Sequence, residues 1–276
     1  MKKEFAGLSS QERKIISHFS ALEKSTITTD DLIGRHPCKR TTANKILGRL
    51  TKKGWLQRLR RGIYTIVPLS STTTDPVIEN TWSVAMDLFE LAFISGWSAA
   101  EHWNLTEQIF NSVSIATTKK QRKSIQVIGN IKFRIKTIKK EQFFGIKNIW
   151  FGSKNIKVAD PSRTLIDILD SPRFGGGGRH MIDIFKQYWH SGVSDPDTLL
   201  NYALQYKRGS VFKRLGFLAE KLNAPVSKKW LKVCHDHISK GISYLDPDSP
   251  KGGIIISRWN LQINLPIEKG YLKLKY

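Results

Sequence analysis

The periodicity of the chain changes once, and sharply, within its first seventy residues. Ala43, Ile46, Leu47 and Leu50 recur at i, i+3, i+4 and i+7, the spacing of one helix face. Gly54 stops that pattern, and β-prone runs at 55–58 and 63–67 then flank a turn closed by Gly62. Upstream, Ser9-x-x-Glu12 is a capping-box pattern that opens a helix with Ile15, Ile16, Phe19 and Leu22 on its inner face. A short second helix is expected from Thr28 or Thr29, with Asp30 and Asp31 in its first turn. Pro37 separates it from the third helix, at about 39–53. Three helices followed by a hairpin is the winged helix-turn-helix plan, in which the later helix of the helix-turn-helix enters the major groove. Residues 1–70 are therefore expected to form a DNA-binding domain.

Charge supports that expectation. The 276 residues carry a net charge of +22, an excess that opposes compaction and calls for a polyanionic partner. Nucleic acid is the first candidate and an anionic membrane the second. The membrane reading is weak, because the longest apolar stretch, 82–97, is broken by Asp87 and Glu90 and the N-terminus has no apolar signal core. Two distant cysteines, Cys38 and Cys234, suit a reducing, cytoplasmic setting without a disulfide framework.

The cations are also clustered. No acid occurs from Leu32 to Thr74 or from Gln108 to Lys140. In the first run the third helix offers Lys39, Arg40, Thr41, Thr42, Asn44, Lys45, Arg49, Lys52 and Lys53 as recognition-helix contacts. Asn can pair with adenine and Arg or Lys with guanine, while the remaining cations meet phosphates. Arg58, Arg60 and Arg61 crowd the tip of the hairpin, which is either a solvated turn or a site for a strongly negative partner such as phosphates or a narrow minor groove. The second run supplies Lys119, Lys120, Arg122, Lys123, Lys132, Arg134 and Lys136 as further candidate contacts to DNA, or alternatively to RNA or protein. Lys139 and Lys140 complete that run.

The polar stretch at 70–76 reads as the boundary to a larger domain, 71–276. Its first part, about 77–170, is expected to be a mixed sheet. Helices are placed at 82–93, 98–103 and 161–170, and strands at 113–116, 125–127, 131–138, 149–151 and 156–159. In 131–138, Ile131, Phe133, Ile135 and Thr137 alternate with Lys132, Arg134 and Lys136, predicting a half-buried strand with a cationic outer face. Residues 171–245 are expected to be mainly helical, with stripes at Met181, Phe185 and Trp189 and at Val211, Phe212, Leu215, Leu218, Ala219 and Leu222. Strands at 254–257 and 259–265 fall in the closing segment, 250–276. The fold class is thus α+β: an N-terminal winged helix-turn-helix, then a mixed α/β domain whose final third is helical.

Other chemistry is poorly supported. Cys234 and His237 could share a helix face, but no further ligand pair accompanies them, so no metal is expected. Gly175–Gly178 lacks the Lys-Ser/Thr of a phosphate-binding loop and reads as a flexible turn. Asp160, Asp167 and Asp170 raise a metal-dependent, restriction-type nuclease as an alternative. Asp160 equally fits a helix N-cap, and no Glu/Asp-x-Lys pair or nucleophile elbow is present. An RNA-binding module is the other alternative. Neither cofactor nor catalytic residue is expected.

Four phrases, in order, resemble one family: ISGWSAAEHWNLTEQ at 94–108, VADPSRTLIDILD at 158–170 with the glycine run following, FKRLGFLAEKLN at 212–223 and SRWNLQINLP at 257–266. Together with the N-terminal plan they resemble the AbiEi-type antitoxins of abortive-infection, phage-defence systems. The resemblance implies a non-enzymatic protein whose N-terminal domain represses its own operon at promoter inverted repeats. It implies that the C-terminal antitoxin domain neutralises a neighbouring nucleotidyltransferase-like toxin, in a type IV arrangement that does not require direct binding.

Overall fold

A computed structural model describes residues 6–21, 25–67, 81–151 and 154–265. Leu22, the 70–76 boundary and the end of the closing segment lie outside these residues. The N-terminal unit runs α1 (Ser10–Ser20), β1 (Ile27–Thr28), α2 (Thr29–Arg35), α3 (Arg40–Lys52), β2 (Leu56–Arg60) and β3 (Ile63–Ile66). The strands form a sheet in the order β1-β3-β2, and the arrangement is consistent with a winged helix-turn-helix. Both short helices start on reciprocal caps. The Ser9 hydroxyl accepts from the Glu12 N–H while the Glu12 carboxylate accepts from the Ser9 N–H, and Thr28 and Asp31 repeat the pattern. Ile15, Ile16, Phe19, Leu32, Ala43, Leu47, Leu50, Leu56 and Tyr64 form the small core.

The remainder is mixed α/β. It begins with α4 (Thr81–Leu88), β4 (Ala92–Ile94), α5 (Gly96–His102), β5 (Val113–Thr117), β6 (Ile125–Ile128) and β7 (Ile131–Thr137). Then come β8 (Ile146–Phe151), β9 (Lys154–Ala159), α6 (Pro161–Asp170), α7 (Gly178–His190), α8 (Pro196–Tyr206), α9 (Gly209–Lys221) and α10 (Lys228–Asp236). Three short strands, β10 (Ser243–Tyr244), β11 (Ile254–Ile256) and β12 (Leu261–Ile263), close the described chain. The main sheet has the order β6-β7-β5-β4-β9-β8. Its β4–β9 and β5–β7 pairs are parallel and the others antiparallel.

Several sequence expectations change here. The helix expected at 82–93 ends at Leu88, and Ala92–Ile94 is instead a central strand. A continuous apolar run buried on both faces has no period that separates helix from strand. The segment from Trp259 is likewise not one strand, because Ser257–Trp259 is a 3-10 turn followed by Asn260 at positive φ. The glycine run is a tight joint rather than a flexible turn. Gly176 has φ +92, and a Cβ there would overlap the Trp97 ring. The N–H of Gly178 donates to Asp246.

Two cores divide this part. One lies between α4 and the main sheet and contains Val84, Phe89, Phe93, Ile115 and Phe133. The other joins α6–α10 to the small sheet through Leu165, Phe185, Tyr188, Phe212, Leu215 and Trp259. Where they meet, Arg163 and Asp167 are buried together one helical turn apart on α6. The guanidinium donates to both Asp167 carboxylate oxygens and to the carbonyls of Gln142 and Phe144. The Ser95 hydroxyl and Lys136 also donate to Asp167. Burial pushes the Asp167 carboxyl up, but Arg163 and Lys136 outweigh it and hold it below its usual range. Cys234 is buried, with its thiol pushed up to about 12 by burial. His237 stacks on Phe212, so this pair serves packing.

Candidate nucleic-acid interface

The buried stripe of α3 is Ala43, Leu47 and Leu50. With about 100° between successive residues, the side farthest from it carries Thr41, Lys45, Gly48 and Lys52. Lys39, Arg40, Thr41, Thr42, Asn44, Lys45, Arg49 and Lys52 are all exposed, and Lys53 is half-buried. Gly48 is a feature the sequence reading passed over. It sits mid-helix, where glycine costs about 1 kcal/mol relative to alanine. Open space surrounds its would-be Cβ, so the helix surface is low there and another backbone could approach closely.

The exposed set is not uniformly free. Arg40 pairs with Asp30 at 2.7 Å, with both side chains largely exposed, so the pair is weak and readily exchanged for a phosphate or base. Arg49 and Lys53 converge on the buried carboxylate of Glu12 at 3.0 and 2.6 Å. Lys53 also reaches the Gly7 carbonyl, which makes it a strut between α1 and α3. The bond from Lys53, then that from the Ser9 backbone, hold the Glu12 carboxyl down at about 2, against an ordinary 4.5. A lowered folded value stabilises the fold above the unfolded value and is lost on acidification. Comparing the melting temperatures of wild type and Glu12→Gln should therefore show a gap above pH about 4.5 that closes as the pH approaches 2.

Asn44 lies on the flank of α3 nearest α2, where its carbonyl oxygen accepts from the Thr29 hydroxyl at 3.0 Å. The N–H of Thr29 in turn donates to the Gly62 carbonyl in the turn between β2 and β3. Thr29 thus joins α3 to the hairpin. That hairpin differs from the expected one, because β2 extends to Arg60 and only Arg61 and Gly62 make the turn. Arg58, Arg60 and Arg61 are all exposed. The register slips between Arg58 and Arg60, leaving Leu59 as a bulge. A bulge re-aims its side chain. Leu59 leaves the N-terminal core and is buried in the core of the main sheet, which also contains Ile128, Ile131 and Phe133.

The second basic run is split by the fold. Lys120, Arg122, Lys123 and Lys132 are exposed. Lys119 pairs with Glu90 at 3.5 Å. Arg134 is half-buried over the Phe110 ring. The Lys136 side chain is only 12% exposed and pairs with Asp167 and Asp170. The outer face expected for 131–138 is therefore cationic at Lys132 and largely covered at Lys136.

The carboxylates weighed for a nuclease are engaged by their own neighbours. Asp160 caps α6 through the Arg163 N–H and accepts from the Tyr202 hydroxyl. Asp170 accepts from Tyr206 and pairs with Lys136. Among the described residues no three His, Cys, Asp or Glu side chains are grouped to hold a metal, and no helix is long and apolar enough to cross a membrane.

Comparison with known proteins is consistent with this surface. No curated protein matches the chain in sequence. The crystal structure of the RV2827C protein from Mycobacterium tuberculosis superposes with a TM-score of 0.59 at 12% identity, covering 94% of this chain and 93% of that one. At that identity the likeness is one of fold. Residues 14–67, from within α1 to the end of the hairpin, match the family described as "Transcriptional regulator, AbiEi antitoxin". The matched residues, about a fifth of the chain, include all of α3 and the hairpin, so this segment is similar to that family of transcriptional regulators.

Proposed function

We propose that this protein is a DNA-binding repressor of its own operon and the antitoxin of a neighbouring nucleotidyltransferase-like toxin. The observation that carries the DNA half is the exposed polar and cationic face of α3, lying wholly within the family match. In this reading residues 1–70 bind operator DNA, and residues 71–276 are the antitoxin domain. The helix α3 enters a major groove with Arg40, Thr41, Asn44 and Lys45 nearest the bases, and Arg49 and Lys52 serve the backbone. Lys53 acts indirectly, by holding α3 to α1 through Glu12. Arg58, Arg60 and Arg61 grip phosphates or a narrow minor groove beside the reading helix.

Asn44→Ala should cost about 1–3 kcal/mol on the selected site and relax discrimination at one base position. Fluorescence anisotropy with duplexes mutated base by base reads both effects. Because Asn44 also accepts from Thr29, unfolding is measured alongside, and only a loss of affinity without a matching loss of stability supports a base contact. Unchanged affinity and unchanged base preference would contradict it. The antitoxin half is tested by rescue: cells expressing the adjacent toxin gene should recover when residues 71–276 are supplied.

A further inference from the structure

We infer that the β6–β7 hairpin is a second DNA-contacting element, which holds the phosphates of duplex flanking the segment read by α3. This rests on the DNA-binding reading above. Three contacts fix the hairpin beside the wing. The N–H of Gly129, in the β6–β7 turn, donates to the Leu59 carbonyl at 3.1 Å. Gly129 has φ +63, and a Cβ there would stand 2.9 Å from Leu59 Cδ2, so the β6–β7 turn touches the bulge of β2 backbone to side chain. Ile63, on the other strand of the wing, packs against the same core as Leu59.

A second tie prevents the units from pivoting about that point. The Asp87 carboxylate on α4 accepts from the N–H groups of Ser25 and Thr26 at 2.7 and 2.9 Å, just ahead of β1. Lys154, at the start of β9, also reaches the Ser25 hydroxyl. The spacing between wing and hairpin is thereby set from both ends.

The surface so joined is cationic. Arg60 and Arg61 adjoin Leu59 in sequence and are exposed. Lys132 pairs across the hairpin with Val127, two residues before Gly129, so it stands about 7 Å along the strand from the contact. Lys120, Arg122 and Lys123, in the connection leading into β6, extend the charge away from the wing. These four cations are exposed and have no ion pair among the described residues. Of the acids around this surface, Asp87 is held by Ser25 and Thr26 and Glu90 by Lys119, while Glu101 lines the same cleft as Lys132. A row of solvated cations at fixed spacing from a recognition helix fits a polyanion that also runs past that helix, and duplex DNA is such a polyanion.

The test uses the full chain and a duplex selected by it from a random pool, trimmed to the core or extended by about ten base pairs, one helical turn, at each end. Anisotropy titrations across salt are made for wild type and for the double variant Lys123→Gln, Lys132→Gln. Extension should tighten wild-type binding about tenfold and steepen its salt slope by about 2, the effect of two further phosphate contacts. The double variant should lose that gain. A double variant that keeps the whole gain, or a wild type that gains nothing from extension, overturns the inference while core binding still supports the reading of α3. Stem-loop RNA that displaces the extended duplex more strongly than duplex competitor also overturns it. A wild type that binds no duplex overturns both.

Discussion

Arg163→Met is expected to destabilise the protein by about 3–5 kcal/mol, the usual result of removing one partner from a buried ion pair. The size follows from what is left behind. Asp167 has no access to water and would keep the Ser95 hydroxyl and the more distant Tyr206 hydroxyl and Lys136 ammonium, none of which replaces the paired guanidinium. The carbonyls of Gln142 and Phe144 would lose their donor as well, and leaving buried acceptors unpaired adds to the cost. The guanidinium also lies over the Phe144 ring at 4.5 Å, contact that methionine replaces only in part. Urea denaturation should report the full loss for Arg163→Met. The double variant Arg163→Met, Asp167→Leu should recover much of it, because the orphaned charge is then gone. Equal losses in both would mean that packing, and not charge pairing, dominates.

Leu59→Ala should have the next largest effect. A buried leucine truncated to alanine typically costs about 2–5 kcal/mol, according to how far the site collapses. Leu59 is 6% exposed, but it belongs to the core of the other unit, so its loss acts on coupling more than on the small N-terminal core. The wild type is expected to unfold in one transition. In Leu59→Ala the N-terminal unit should unfold separately and at lower denaturant, seen as two transitions by fluorescence. Gly129→Val attacks the same contact from the opposite side, through the positive φ and the approach to Leu59 Cδ2. Both variants should also reduce the gain from flanking duplex, since the spacing of the two basic elements would relax.

Much of the fold was legible where local signals agree. Asp160 and Pro161 mark the start of α6, and the observed helix, Pro161–Asp170, has the expected bounds. The cap at Ser9, the start of α2 at Thr28 or Thr29 and the stripe of α3 were legible for the same reason. Non-local choices were not. Alternation in 131–138 separates two faces but does not say that one will be covered, which is why Lys136 read as solvent-facing. Leu59 sits in a run of arginines, and only a bulge, set by pairing with β3, sends it into another core. The role of Arg49 and Lys53 in holding Glu12 was likewise hidden, because the partners are about forty residues apart. In the candidate interface, composition identified the cations, and the fold determined which of them are free.

The most direct measurement is competition between the selected duplex and a scrambled one of equal length for the full chain at physiological salt. Specific winged-helix binding predicts a preference of about a thousandfold or more for the selected site. In a double variant, Arg40→Ala with Asn44→Ala, that preference should narrow by about one to three orders of magnitude. Equal affinity of the wild type for both duplexes, or an undiminished preference in the variant, would contradict sequence reading by α3.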